Sequence, residues 1–102
     1  MEHILQHFID NTPELLNFLA GYFPEAEFTG ASDQQIIAHY ISTNNKETVL
    51  QVQKELEGLK GDPETLQFIS REINRHFETT PEIWEWVIKI KEMYALKVAE
   101  VD

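Results

Sequence analysis

Three stretches of this chain repeat one device: Thr12-Pro13-Glu14, Asp62-Pro63-Glu64 and Thr80-Pro81-Glu82. Each sets a side-chain oxygen where a helix would be capped, a proline at the first helical position and a carboxylate in the first turn. The oxygen accepts an amide hydrogen that has no intrahelical partner, the proline has no such hydrogen to leave unpaired, and the acid meets the positive end of the helix dipole. Ser32 with Gln35 has the spacing of a reciprocal capping box, and Asn44 or Asn45 ahead of Lys46 supplies a fifth start. Five helix starts in 102 residues leave no room for a sheet. The expected fold is all-α, a single bundle of about five helices occupying residues 1–102, a length that suits one domain with its own core.

Apolar spacing agrees with the start signals. Leu15, Leu19 and Tyr22 recur at helical intervals, and Ile36, Ile37, Tyr40 and Ile41 form one stripe. So do Val49, Val52, Leu56 and Leu59, and then Leu66, Ile69, Ile73 and Phe77. Gly30, Gly58 and Gly61 fall between these segments as stops. The residues ahead of Thr12, including Ile4, Leu5, Phe8 and Ile9, suggest a short lead-in helix or turn. The last segment, IWEWVIKIKEMYALKV, is apolar on more than one face: Ile83, Val87, Ile90 and Tyr94 lie apart from Trp84, Ile88 and Ala95. A helix apolar nearly all round is expected at the centre of a bundle, with Trp84 or Trp86 buried.

Charge narrows the function. Eighteen acids against eight bases give a net charge of −10, and the imbalance is uneven. Residues 1–45 hold six acids (Glu2, Asp10, Glu14, Glu25, Glu27 and Asp33) and no lysine or arginine. Such a field repels nucleic acid and anionic membrane and steers toward basic partners. The chain has no cysteine, so it has no disulfide, thiol nucleophile or thiolate metal site. Its first residues show no basic region or cleavage site of a signal peptide, and no apolar run approaches a membrane span. A cytoplasmic protein is expected.

Catalytic signatures are missing. The chain has no nucleophile elbow, phosphate-binding loop or zinc-protease motif. His3 with His7, and Glu72 with His76, stand four residues apart, a spacing that could grip a metal, but two ligands make no centre and the paired sets of di-metal bundles are lacking. Arg71 and Arg75 could meet a phosphate, yet Glu72 and Glu78 beside them read as a solvated face. No enzyme, metal or cofactor is expected. A binding protein is, with aromatic anchors ringed by carboxylates.

The segments LLNFLAGYFPEAEF, ASDQQIIAHYI, VLQVQKELEGL and HFETTPEIWEWVIKIKEMY together resemble the small helical immunity proteins of contact-dependent growth inhibition systems. The likeness runs from about Pro13 to Tyr94, closest at Gly21-Tyr22-Phe23 and from Trp84 to Ile88. It implies a cytoplasmic antitoxin that binds the C-terminal toxin domain of a cognate effector, often a nuclease, in a 1:1 complex. Two features depart from the family. Members often carry an Asp–aromatic pair soon after the Tyr-Phe, where this chain has Glu27-Phe28 behind Pro24, and many have a glycine before the last loop, where it has Asn74. Toxin contacts vary with the toxin in such families, so the motif assigns none.

The residues themselves point to the loop after the first long helix. Tyr22 and Phe23 are expected to fold inward, leaving Glu25, Glu27 and Asp33 as candidate toxin-binding residues on a base-free segment, partly mimicking the charge of nucleic acid. The acidic side of residues 47–64 is the other candidate face. A rival reading is an acidic helical adaptor that docks a partner helix in an apolar groove and has no toxin target.

Overall fold

The computed structural model describes residue 6 and residues 9–24 and 29–101. After a helical turn ending at Asn11, five helices follow: α1 (Pro13–Tyr22), α2 (Asp33–Thr43), α3 (Lys46–Glu57), α4 (Pro63–Glu72) and α5 (Thr80–Val101). No strand occurs among the described residues. Ile4, Leu5 and Phe8 of the expected lead-in segment lie outside them. The architecture is the all-α bundle that the helix starts imply.

Three of the five starts form as read. Ser32 accepts the Gln35 amide while the Gln35 side chain accepts the Ser32 amide, closing the capping box. Asn45 accepts from the Thr48 amide at 2.8 Å, and Asp62 from the Thr65 amide at 3.1 Å. The other two differ. At α5 the cap is Thr79 rather than Thr80: its hydroxyl oxygen accepts from the Glu82 amide at 3.4 Å and donates to the Glu82 carboxylate at 3.0 Å. Two adjacent threonines offered the same oxygen, and the one three residues ahead of a glutamate gains a second bond from its hydroxyl to that side chain. At α1 the Thr12 side chain makes no capping bond. A carboxylate from α3 takes that place, as described below.

One core cluster draws on all five helices. At its centre Phe18, fully buried, meets Phe23 (5.2 Å), Tyr40 (4.6 Å) and Tyr94 (5.6 Å), so that α1, α2 and α5 converge on one ring. Such aromatic contacts add roughly 0.5–1.5 kcal/mol each beyond the area they bury. The Tyr94 hydroxyl, buried, donates to the Val49 carbonyl at 2.8 Å, which satisfies a polar atom that the core would otherwise strand.

Helix α5 is central, packing against α2, α3 and α4, but by one face rather than all round. Ile83, Trp86, Val87, Ile90, Tyr94 and Val98 are buried. Of the second apolar face, Trp84 is half-buried, Ile88 and Leu96 are 39% and 68% exposed, and Ala95 is exposed. Trp84 is covered differently: the Lys91 ammonium lies 4.9 Å from its ring centre, and a Cβ on Gly61 would sit 3.1 Å from its indole. Gly61 is therefore more than a stop; it lets the loop lie flat on Trp84.

The apolar series through Phe77 does not continue one helix. Helix α4 ends at Glu72, and Asn74 turns left-handed at φ 55°. The break lies at Asn74, a residue whose short polar side chain tolerates that conformation.

Candidate interaction surface

The turn after α4 is a Schellman motif. The Asn74 amide donates to the Arg71 carbonyl and the Arg75 amide to the Ser70 carbonyl, both at 3.1 Å. The Ser70 hydroxyl adds a bond of 2.6 Å to the Arg75 carbonyl. These bonds fix the direction of Arg75, whose guanidinium meets both carboxylate oxygens of Asp33 at 2.9 and 3.1 Å. The Trp86 indole N–H donates to the same carboxylate at 2.8 Å, and the guanidinium lies 5.5 Å from the centre of the Trp86 ring. A forked pair of this kind is the strong form of charge-assisted hydrogen bonding.

The cluster changes the standing of Asp33. Its side chain is 23% exposed, and no lysine or arginine near it in sequence could neutralise it; Arg75, from 42 residues away, does. Asp33 is thus a tied carboxylate rather than a free loop charge. Glu25 and Glu27 lie outside the described residues. Phe23, which precedes Glu25 in the chain, is buried edge-on against Trp86 at 5.2 Å, and Asp33, which follows Glu27, is held by the Trp86 N–H. One indole therefore holds both Phe23 and Asp33. Tyr22 turns inward less completely than Phe23: it is half-buried, and its hydroxyl accepts from the Asn44 side chain at 3.3 Å.

A second feature escaped the sequence rules. Glu55, 6% exposed, stands among the buried residues of α3. One of its oxygens accepts the Leu15 amide at 3.0 Å and the other accepts from the Gln51 side chain at 2.7 Å. It caps α1 from another helix, which is why Thr12 need not. A carboxylate between Val52 and Leu56 within an apolar stripe was the available signal. Glu55 lines an open cleft of about 510 Å³ together with Gln51, Lys54, Lys60, Asp62 and Thr65.

Titration in this molecule follows folding. Burial, with smaller contributions from Glu14, Tyr22 and Glu55, pushes the Tyr40 hydroxyl up to about 12. Burial raises Tyr94 further. Asp62 is held below the usual carboxyl range by the bonds it accepts from the Thr65 amide and hydroxyl. All three shifts belong to core or cap groups, so they do not mark a reacting centre.

Two expectations about ligand groups change. Glu72 ends α4 and His76 lies beyond the turn at Asn74, so the two do not share a helical face. Arg75 also lies past the helix and faces Asp33, not Arg71. Among the described residues no group of three or more His, Asp or Glu is placed to hold a metal ion, and no helix is long and apolar enough to cross a membrane. His3 and His7 lie outside them. Comparison with known proteins finds no matching family model, no similar curated protein and no similar solved structure.

Proposed function

We propose that this chain is an immunity protein of the contact-dependent growth inhibition type, a cytoplasmic antitoxin that binds a basic toxin domain, in a 1:1 complex, and covers its active site. The observation that carries the reading is the disposition of charge. Residues 1–45 contain no lysine or arginine, and three of the later cations have partners of their own: Arg75 on Asp33, Lys97 on Glu100 at 3.4 Å, and Lys91 over Trp84. Most of the acids among the described residues are exposed, and a surface of that sign favours fast capture of a cationic partner, a nuclease above all. The ordered aromatic core supports a rigid inhibitor, which loses little entropy on binding.

Co-expression tests it. The chain should protect cells that produce the C-terminal domain of the large effector encoded beside its gene, and should co-purify with that domain in equal amounts. Cells that die despite soluble chain, with no complex recovered, would refute the reading. The adaptor alternative draws on the exposed Ile88 and Leu96 of α5. Salt separates the two: charge steering is screened over about 8–10 Å near physiological ionic strength, so toxin association should slow steeply as salt rises, whereas docking of an apolar helix should not.

A further inference from the structure

The exposed surface is divided by charge in a way the net value hides. Helices α3 to α5 expose ionised side chains throughout, among them Glu47, Lys54, Glu64, Glu85 and Lys89. Helices α1 and α2 expose Asn17, Gly21, Gln35, His39, Ser42 and Thr43 instead. They meet at Tyr22, whose ring lies 6.2 Å from that of His39 and 4.9 Å from that of Tyr40. The Ser42 and Thr43 hydroxyls already donate to the His39 carbonyl, at 3.0 and 2.8 Å. Asp33 is tied to Arg75, which leaves Glu14, half-buried in the first turn of α1, as the other acid of these two helices.

A surface of this kind loses little when water leaves it. The centres of protein interfaces are poor in ionised groups and rich in tyrosine, because an ion taken out of water must be paired well to recover its hydration. On α3 to α5 a partner would have to dry lysines and glutamates at each turn. On α1 and α2 it meets hydroxyls and amides, some already bonded to the backbone. The sign of the surroundings selects the occupant. Neither helix contains a lysine or arginine, and the whole chain carries −10 with its histidines neutral. A second copy would set like field against like, whereas a cationic domain is attracted by the same field. We propose that the α1–α2 face, with Tyr22 and His39 at its centre, is the contact surface for a basic protein domain; this deepens the antitoxin reading and rests on it.

The test uses the full chain and, as probe, a catalytically inactive form of the C-terminal effector domain encoded beside its gene, titrated by calorimetry. Two charge-matched variants are compared: Asn17→Arg with His39→Arg on the face, and Gln67→Arg with Ala95→Arg away from it. All four positions are exposed, so circular dichroism should match the wild type. The face variant should bind roughly a hundredfold more weakly or worse, because like charges set face to face are a costly interface defect, while the control should change by less than about threefold. Equal weakening in the two variants, or none in either, overturns the assignment while leaving the antitoxin reading in place. A wild type that binds no probe removes both. A wild-type dimer that the face variant converts to monomer overturns the proposal in favour of a second copy. Should the face variant misfold, hydrogen exchange of the wild-type complex decides: new protection in α1 and α2 supports the proposal, and protection confined to α3–α5 refutes it.

Discussion

Glu55 offers a substitution pair whose outcomes diverge for a physical reason. Pro13 has no amide hydrogen and the Leu16 amide bonds back to the Thr12 carbonyl, so the first turn of α1 leaves the Glu14 and Leu15 amides to be satisfied. Glu55 takes the second. Glu55→Gln keeps an acceptor at the same reach, and Gln51 can reverse its own amide to preserve the other bond. What is lost is a negative charge at a helix N-terminus, about 0.3–1 kcal/mol and up to about 2 when partly buried. That loss is offset in part because a neutral amide is easier to bury than a carboxylate. The net cost should be about 1 kcal/mol or less. Glu55→Ala removes the acceptor, strands a buried amide at roughly 1–3 kcal/mol and deletes a buried methylene worth about 0.8 kcal/mol. It should cost about 2–4 kcal/mol. At about 4–8 °C per kcal/mol for a domain of this size, the variants should melt on the order of 10 °C apart. Urea unfolding at pH 7, followed by far-UV circular dichroism with an unchanged m-value, gives the two free energies. If Glu55→Gln loses as much as Glu55→Ala, the charge and not the acceptor stabilises the site. If Glu55→Ala costs under about 0.5 kcal/mol, a value ordinary for surface changes, the capping argument fails.

Trp86→Ala should destabilise by about 3–5 kcal/mol, as deletions of buried aromatics do, and Trp84→Ala by clearly less; acrylamide should quench Trp84 more readily than Trp86 in single-tryptophan variants. Trp86→Phe removes the N–H while leaving the Arg75 fork on Asp33, so it should cost roughly 1.5–3 kcal/mol, the range for a hydrogen bond to a charged group, in the same urea assay. Tyr40 and Tyr94 are both raised by burial, so the unfolded chain ionises them first; their contribution is whole below about 10, the ordinary tyrosine value, and is lost as pH rises through the folded value, about 12 for Tyr40. An ultraviolet titration should show both phenols absent from the ordinary range until denaturant is added. Asp62 is lowered, so its stabilisation is present above the ordinary carboxyl range and fades as pH falls through the folded value; Asp62→Ala should cost about 1 kcal/mol near neutrality and flatten the acid limb of the stability curve.

The helices were legible because their start signals are local. Ser32 with Gln35, Asn45 with Thr48 and Asp62 with Thr65 each work across three residues, a distance fixed by helix geometry alone. The same locality explains the near miss at Thr79 and Thr80, where two equivalent oxygens competed and only the second bond, to the Glu82 side chain, chose between them. Core membership followed the 3.6-residue period well enough to place Leu15, Ile37, Val52, Ile69 and Ile90. It failed at Phe77 because the period says nothing of whether the backbone between two apolar residues stays helical. Asn74 in the left-handed region breaks the series while Ile73 and Phe77 still reach the core.

The candidate site was less legible, and the reason is range. A charge is read from a sequence as free or neutralised by the company it keeps, and Asp33 keeps none. Its neutralising base lies beyond the Schellman turn that ends α4, and its second partner is an indole on α5. Thr12 likewise looked like a cap because its own three-residue neighbourhood was correct, yet the amide it should have taken went to Glu55, 40 residues on. In both places a carboxylate satisfies a group presented from a distant part of the chain. Helix packing, not propensity, decides such pairings: α1 lies against α3, and the turn after α4 delivers Arg75 to the start of α2. Once those pairings are made, the acids of the first half divide. Asp33 belongs to the fold, and what α1 and α2 still offer a partner is a neutral face under a negative field. That combination separates capture from fit: the field acts at a distance on the rate of encounter, and the uncharged face governs how long the complex lasts. Substitutions of outer acids should therefore change association rates, and substitutions around Tyr22 and His39 should change dissociation rates, a split that a stopped-flow and dilution experiment on one complex can resolve. Acid variants that act on dissociation alone would show that the field and the face are not divided in this way.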